Sequence, residues 1–321
     1  MTEYKPYATF ITDNNESASL YTGLRDKVKS GWEAFFEPTR SEDTMLFTDK
    51  DNIMIRKKSV EAAAVVLRHY GFEIKDKEVL EIGCYDGLQS HVIVCGGAKS
   101  VIGLDVNEYG VRQSVNMDTD MNREWINRMR KMTNAQFPDY ISSKVSFVEG
   151  DVTKMEYTDA FDLIFSWDTL EHLIPPQKAF ENMARALRKG GAMYHSYNPF
   201  FSLNGGHSPC TLDFMWGHCT MSEKDVEKYI HIFRPQEEKT AIPFFRESLN
   251  RMSLSDLQNY ADNYGFEIIH NTKTSNYFYG KEDSARESIS KEFLPFAQKH
   301  YPSVIVDDLL YDNINMVMVK K

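Results

Sequence analysis

The stretch Val79-Leu80-Glu81-Ile82-Gly83-Cys84-Tyr85-Asp86-Gly87 decides the fold. A short apolar run ends in a glycine, with a second glycine close behind. This is the pattern of a buried strand that turns sharply into a helix. A helical pattern follows over residues 87–95, then a second apolar run at 101–106. Strand, helix and strand in that order imply a parallel pair joined by a crossover.

Working outward, further apolar runs at 145–148, 161–167 and 192–197 predict strands, with helical patterns at 108–137 and 176–187 between them. A helix over 56–70 precedes the core, its apolar positions Val60, Ala63, Ala64, Leu67 and Tyr70 on one face and Gly71 as its stop. Past the fifth strand, the proline- and glycine-rich stretch 198–251 reads as a long irregular insert. Ser253 caps a helix to residue 264, a strand follows at 266–272, a single helix at 284–300, and a last strand near 314–319. One helical candidate, 21–36, stands near the N-terminus. The expected fold is α/β and Rossmann-like, a mostly parallel seven-stranded sheet with helices on both faces. Residues 1–55 form a helical extension or lid, 56–198 the cofactor-binding core, 199–252 a substrate-binding insert and 253–321 the completion of the sheet.

Composition bounds the function. Of the 321 residues, 42% are hydrophobic and 26% charged, which excludes a disordered or coiled-coil chain. The formal charge of −10 argues against a nucleic-acid partner, whose phosphates call for Lys and Arg. The basic cluster Arg123, Arg128, Arg130 and Lys131 reads as a solvated helix face. Cys84, Cys95, Cys210 and Cys219 form no C-x-x-C pair, so reduced thiols and a cytoplasmic location are expected. The polar residues 1–19 lack the core of a signal peptide, and no apolar run approaches the ~18 residues that span a bilayer.

Chemistry gathers at the carboxyl ends of the strands, where ligands of open α/β sheets sit. Asp105 follows Glu81 by 24 residues and ends the second strand, where a carboxylate can accept both ribose hydroxyls. Asp151 ends the third strand. Three carboxylates along one edge would repel a pyrophosphate, so a cofactor carrying positive charge is favoured over a nicotinamide dinucleotide.

These residues resemble the class I S-adenosylmethionine-dependent methyltransferases, over about residues 56–200 and 253–321. Glu81-Ile-Gly83-Cys-Tyr-Asp-Gly87 matches the first motif of that family, Phe161 to Asp168 its fourth strand, and Leu187-Arg-Lys-Gly-Gly191 the approach to its fifth. The resemblance implies that Glu81, Gly83 and Gly87 abut the methionine part of the cofactor, Asp105 the ribose, and Asp151 with Val152 the adenine. Cys84, Tyr85, Val106 and Trp167 complete the expected cofactor set. Tyr85 departs from the pattern, standing where a glycine often occurs.

The fourth strand runs into Asp168-Thr-Leu-Glu171-His172. In a helical turn, Asp168, Glu171 and His172 would share one side. With His207 they could hold Mg²⁺ or Zn²⁺. The pattern looks like that of metal-assisted O-methyltransferases, among them small-RNA 2′-O-methyltransferases and ubiquinone-pathway enzymes. Without a metal, His172 and His207, with Asp168, are the candidate catalytic residues, histidine being the usual base near neutral pH. Tyr197, Asn198, Trp216 and His218 are candidates to bind the substrate, or else to form a satellite core. The expected activity is methyl transfer to a hydroxyl of a small polar acceptor of sugar or nucleotide-sugar type. RNA 2′-O-methylation, N-methylation of a small amine and a non-catalytic partner subunit are the alternatives. A homodimer is compatible with the sequence.

Overall fold

A computed structural model of the chain describes residues 6–21, 50–106 and 119–321. Strands β1 (Pro6–Ile11) and β2 (Ser17–Tyr21) form an antiparallel hairpin. The remaining strands are β3 (Glu78–Ile82), β4 (Ser100–Asp105), β5 (Val145–Glu149), β6 (Phe161–Trp167), β7 (Leu187–Tyr197), β8 (Phe266–Thr274) and β9 (Asn313–Lys320). They make one seven-stranded sheet in the order β5-β4-β3-β6-β7-β9-β8. Strand β9 runs antiparallel to both β7 and β8, and the pairs among β3 to β7 are parallel.

The chain leaves β3 outward through β4 to β5, then returns to the other side of β3 as β6. The order reverses there, so a crevice opens at the carboxyl ends of β3 and its neighbours. The register brings those ends level, with Ile82 opposite Leu104 and Ser166, and Asp105 opposite Glu149.

Alternation along the strands feeds two cores. Leu80, Ile82, Ile164 and Met193 pack with Phe180 and Met183 of the helix Pro176–Ala186 and Leu257 of the helix Leu254–Asn263. On the other face, Val79, Val101, Leu163 and Phe165 pack with Ala63 and Leu67 of the helix Lys50–His69 and Ile93 of the helix Leu88–Cys95. Each fully buried side chain of this size stabilises the fold by roughly 1.5–3 kcal/mol.

The third core corrects three expectations. Residues 198–251 are helical rather than irregular, with helices at His207–Cys210, Gly217–Thr220, Glu223–Phe233 and Glu238–Glu247. Pro209 and Pro235 sit in short helices and Pro243 lies inside the helix Glu238–Glu247, while Pro199 stands in the irregular lead-in. Residues 6–21 are a hairpin, not a helical extension, and they dock on this insert. Phe10 meets Tyr229 edge to face at 5.9 Å, and the Tyr7 hydroxyl donates to Asp213 at 2.9 Å. The candidate helix 21–36 lies outside the described residues beyond Tyr21. The predicted helix 284–300 is two helices, Glu282–Glu292 and Leu294–His300, because Pro295 falls in the first turn of the second. Among the described residues, no helix is long and apolar enough to cross a membrane.

Candidate active site

The bend after β3 holds Gly83 at φ +76°, Tyr85 at φ +47° and Gly87 at φ +77°. Tyr85 therefore keeps the left-handed conformation a glycine would adopt freely, at a cost of roughly 1–2 kcal/mol. The two glycines are required by the protein's own packing. A Cβ on Gly83 would stand 2.1 Å from the Thr169 hydroxyl, and one on Gly87 2.1 Å from the Phe147 ring. Gly83 thus lets the turn after β6 close against the loop after β3.

Between these segments runs a cleft with about 870 Å³ of empty space, including its mouth. The ends of β3, β4 and β5 line it with Ile82, Gly83, Leu104, Asp105, Val106, Gly150, Asp151 and Val152. The turn after β6 and the end of the insert line it with Thr169, His172, Leu173, Ile174, Phe244 and Ser248. Of the residues expected at the cofactor, Gly83, Asp105, Val106, Asp151 and Val152 line this cleft. Asp105 is 4% exposed and accepts the Tyr85 backbone N–H at 2.7 Å, so the same carboxylate shapes the loop and faces the cleft. Asp151 caps a short turn by accepting from the Thr153 N–H and hydroxyl at 2.8 and 2.7 Å.

Four expected cofactor contacts are corrected. Cys84 is buried beside Arg130, whose guanidinium donates to the Cys84 thiol and to the Tyr85 carbonyl. The Tyr85 ring packs on Trp125 at 5.8 Å. Gly87 caps the following helix against Phe147. Trp167 stacks on Phe165 at 5.4 Å instead of entering the cleft, because the alternation of β6 sends it to the opposite face. Nor is the basic cluster a solvated face throughout, since Arg130 is buried and Arg123 forks onto Glu149.

Behind the cleft wall lie Glu81, Asp86 and Glu171, all buried, and Arg56 binds Asp86 at 2.5 Å. Burial pushes the Glu81 carboxyl up to about 8, with Asp86 and Asp105 adding to the rise, against the Ser90 hydroxyl that donates to it and against Arg56. Burial likewise raises Glu171, with Asp168 adding to the rise. Buried acids held above their ordinary range are the environment that a cationic ligand relieves, so these residues fit S-adenosylmethionine, whose sulfonium supplies a transferable methyl group. A bound cation pulls Glu81 back toward ionisation. At pH 7 binding should therefore release about one proton, and affinity should rise as pH climbs toward 8. Calorimetry in buffers of differing ionisation enthalpy measures this. Release should vanish in Glu81→Gln, and an unchanged release there would assign the proton elsewhere.

The turn after β6 carries the candidate catalytic residues Asp168 and His172. Asp168 stands at φ +46°, and the short turn Leu170–His172 is of 3₁₀ type rather than α-helical. The predicted face of Asp168, Glu171 and His172 therefore breaks up. One ligand atom each of Glu171, His172 and His207 lie within 4.8 Å of one another, and Asp168 is outside that group. The His172 and His207 rings stack at 5.1 Å. His172 Nδ1 lies 2.6 Å from the Ser248 carbonyl, which can only accept, so Nδ1 carries hydrogen and Nε2 is the acceptor of the neutral ring. His207 is held well below the ordinary histidine range by burial and by His172, hence neutral. Glu171 is raised by burial, and its Oε2 has no hydrogen-bond partner among the described residues.

The candidate acceptor residues are placed elsewhere. Trp216 is 1% exposed, donates to the Leu309 carbonyl at 3.0 Å and stacks on Phe278. His218 is buried on the Phe200 carbonyl at 2.8 Å, and burial takes it down to about 4. Tyr197 is buried in the sheet core, and Asn198 donates its backbone N–H to Glu171. Trp216 and His218 are packed within the insert's own core, Tyr197 within the sheet core, and none of the four lines the cleft. Thr169, Leu173, Ile174, Phe244 and Ser248 were not found from sequence. Nothing local to Phe244 and Ser248 marks them, since the end of their helix becomes a cleft wall only through the tertiary fold.

A family model described as a methyltransferase domain matches residues 54–271. Among characterised proteins, the chain is 25% identical over 187 residues to a sterol 24-C-methyltransferase of Kluyveromyces lactis, covering 56% of this chain and 42% of that one. It is 26% identical over 120 residues to a tRNA U34 carboxymethyltransferase of Actinobacillus succinogenes, covering 37% and 32%. The match thus spans less than half the length of either relative. Among solved structures, a Galdieria sulphuraria protein provisionally described as a sarcosine dimethylglycine methyltransferase aligns with a TM-score of 0.50 at 13% identity, over 82% of this chain and 86% of that one.

Proposed function

Because the chain belongs to the methyltransferase-domain family, as an S-adenosylmethionine-dependent protein of class I, we propose that it moves a methyl group onto a hydroxyl oxygen of a small molecule. One observation carries the reading. His172 lines the same cleft as Asp105 and has its Nδ1–H fixed on the Ser248 carbonyl, so Nε2 is the basic nitrogen of the neutral ring. A hydroxyl is a weak nucleophile at neutral pH, and a positioned base strengthens it as it attacks. The oxygen lone pair attacks the methyl carbon, the carbon–sulfur electrons return to sulfur, and the hydroxyl proton passes to His172. Leu173, Ile174 and Phe244 exclude water around that end of the cleft.

Trp216 and His218 are buried, so they offer a sugar-like acceptor no surface in the cleft. The wall beside His172 is mostly apolar, which suits a hydroxyl carried on an apolar body. Transfer of labelled methyl should yield base-stable ethers with hydroxylated aromatic or alicyclic acceptors, and weaker labelling of sugars. Labelling of amines or RNA alone would overturn the reading.

A second reading rests on the group of Glu171, His172 and His207. A carboxylate and two imidazoles match the donor set of a zinc site with open positions, and a fixed Nδ1–H on a carbonyl is the usual support of a ligating histidine. These three residues would hold the ion, which would supply Lewis acidity at the hydroxyl. His172 would then be a ligand instead of the base. Zinc titration of wild-type protein and His207→Ala by calorimetry separates the two. Binding lost in the variant supports the ion, and no binding to wild type leaves His172 as base.

A further inference from the structure

The turn that presents His172 is not held by its own chain. Residues 248–251, which end the insert, pack directly against it and grip it. The Asn250 amide donates to the carbonyls of Leu170 and Leu173 at 2.7 and 3.1 Å, and its backbone N–H to Glu171 at 2.8 Å. Its side-chain oxygen accepts the Met252 N–H at 3.1 Å, so both side-chain polar atoms and the backbone N–H of this 6% exposed residue are used. A one-turn 3₁₀ segment satisfies few of its own carbonyls, Leu170 accepting the Leu173 N–H at a long 3.4 Å, and here a single side chain binds the carbonyls on both sides of His172. Two residues earlier, the Ser248 carbonyl accepts the His172 ring N–H. Arg251 stiffens the segment, donating to the Leu249 and Phe245 carbonyls with its guanidinium 4.1 Å from the Phe200 ring centre and 4.6 Å from that of Phe245.

We propose that Asn250 is a positioning residue of the methyl-transfer reaction, setting the distance and tautomer of His172 through the carbonyls of Leu170, Glu171 and Leu173. This rests on the reading that His172 serves the transfer. The same segment lines the acceptor side through Ser248 and Phe244, so the insert both walls the cleft and aims the imidazole. Loss of the amide lets the turn relax and the imidazole drift. Misplacement of a reacting group by about 1 Å costs on the order of 10²-fold in rate.

The test compares Asn250→Asp, which keeps shape but loses both side-chain donors, and Asn250→Ala, each also in a His172→Ala background. The acceptor is whichever hydroxyl compound the transfer assay labels. Each single variant should lower kcat about 10–100-fold with the dissociation constant for S-adenosylhomocysteine within about threefold. Nitrogen-15 spectra should show His172 leaving the Nδ1–H tautomer. In the His172→Ala background the substitutions should lower kcat no further. Should Asn250→Ala fail to fold, the near-isosteric aspartate carries the test. Equal losses in both backgrounds, or a wild-type imidazole spectrum in the aspartate variant, would overturn the proposal. Full activity in His172→Ala alone would instead overturn the role of His172.

Discussion

Asp105→Ala is expected to weaken S-adenosylmethionine binding by about 10²-fold or more, since a hydrogen bond to a charged group contributes about 1.5–3 kcal/mol and the ribose offers two hydroxyls. The carboxylate has a second duty, because it holds the Tyr85 backbone N–H at 2.7 Å and with it a loop residue at φ +47°. Alanine removes the ligand contact and the anchor together. Asparagine keeps an acceptor for the Tyr85 N–H but loses the charge, so Asp105→Asn should fall between. Calorimetry of cofactor binding reads all three proteins. A change below about threefold in Asp105→Ala would place the ribose elsewhere.

His172→Ala is expected to lower kcat by about 10²–10⁴-fold, the usual contribution of a positioned base, with cofactor affinity nearly unchanged. The residue lines the cleft from the turn after β6, with Leu173 and Phe244, whereas Asp105 lines it from the end of β4, so the loss of His172 leaves the ribose contact intact. Single-turnover transfer to the labelled acceptor measures the step. A kcat within about threefold of wild type would remove His172 from the chemistry and leave proton transfer to bulk water.

The parallel core was legible because its signals are local. Apolar runs bounded by Gly, Asp and Asn marked β3 to β7 within a few residues, and the spacing from Glu81 to Asp105 predicted a carboxylate at the second strand tip, where the structure has it. The loop after β3 was located by its glycines, although their steric reason, Thr169 and Phe147 pressing against them, is tertiary and has no trace in the chain. The insert misled because proline was read as a breaker. Ser222 caps Glu223–Phe233 by accepting from Asp225, and Pro243 is carried within Glu238–Glu247. The aromatic and histidine side chains of that insert suit a binding surface or a satellite core equally well in sequence, and the structure has the core, with Trp216 and His218 each bound to a backbone carbonyl in its interior. The Asp168 to His172 segment shows the limit most clearly. Its spacing would suit a ligand face on an α-helix, but the left-handed Asp168 and the 3₁₀ turn detach Asp168 and leave Glu171 and His172 to meet His207. Asn250 and Ser248, about 80 residues away in sequence by contact distance along the chain, are joined to that turn only by the fold.

The central claim is that one cleft at the carboxyl ends of β3, β4 and β5 seats the adenosyl cofactor with its methyl end toward His172. A crystal structure of the protein with S-adenosylhomocysteine tests it most directly. The account predicts ribose hydroxyls within hydrogen-bond distance of Asp105, adenine beside Val152, and the sulfur between Gly83 and His172. Density for the cofactor at any other place, or a ribose turned away from Asp105 in this cleft, would contradict it.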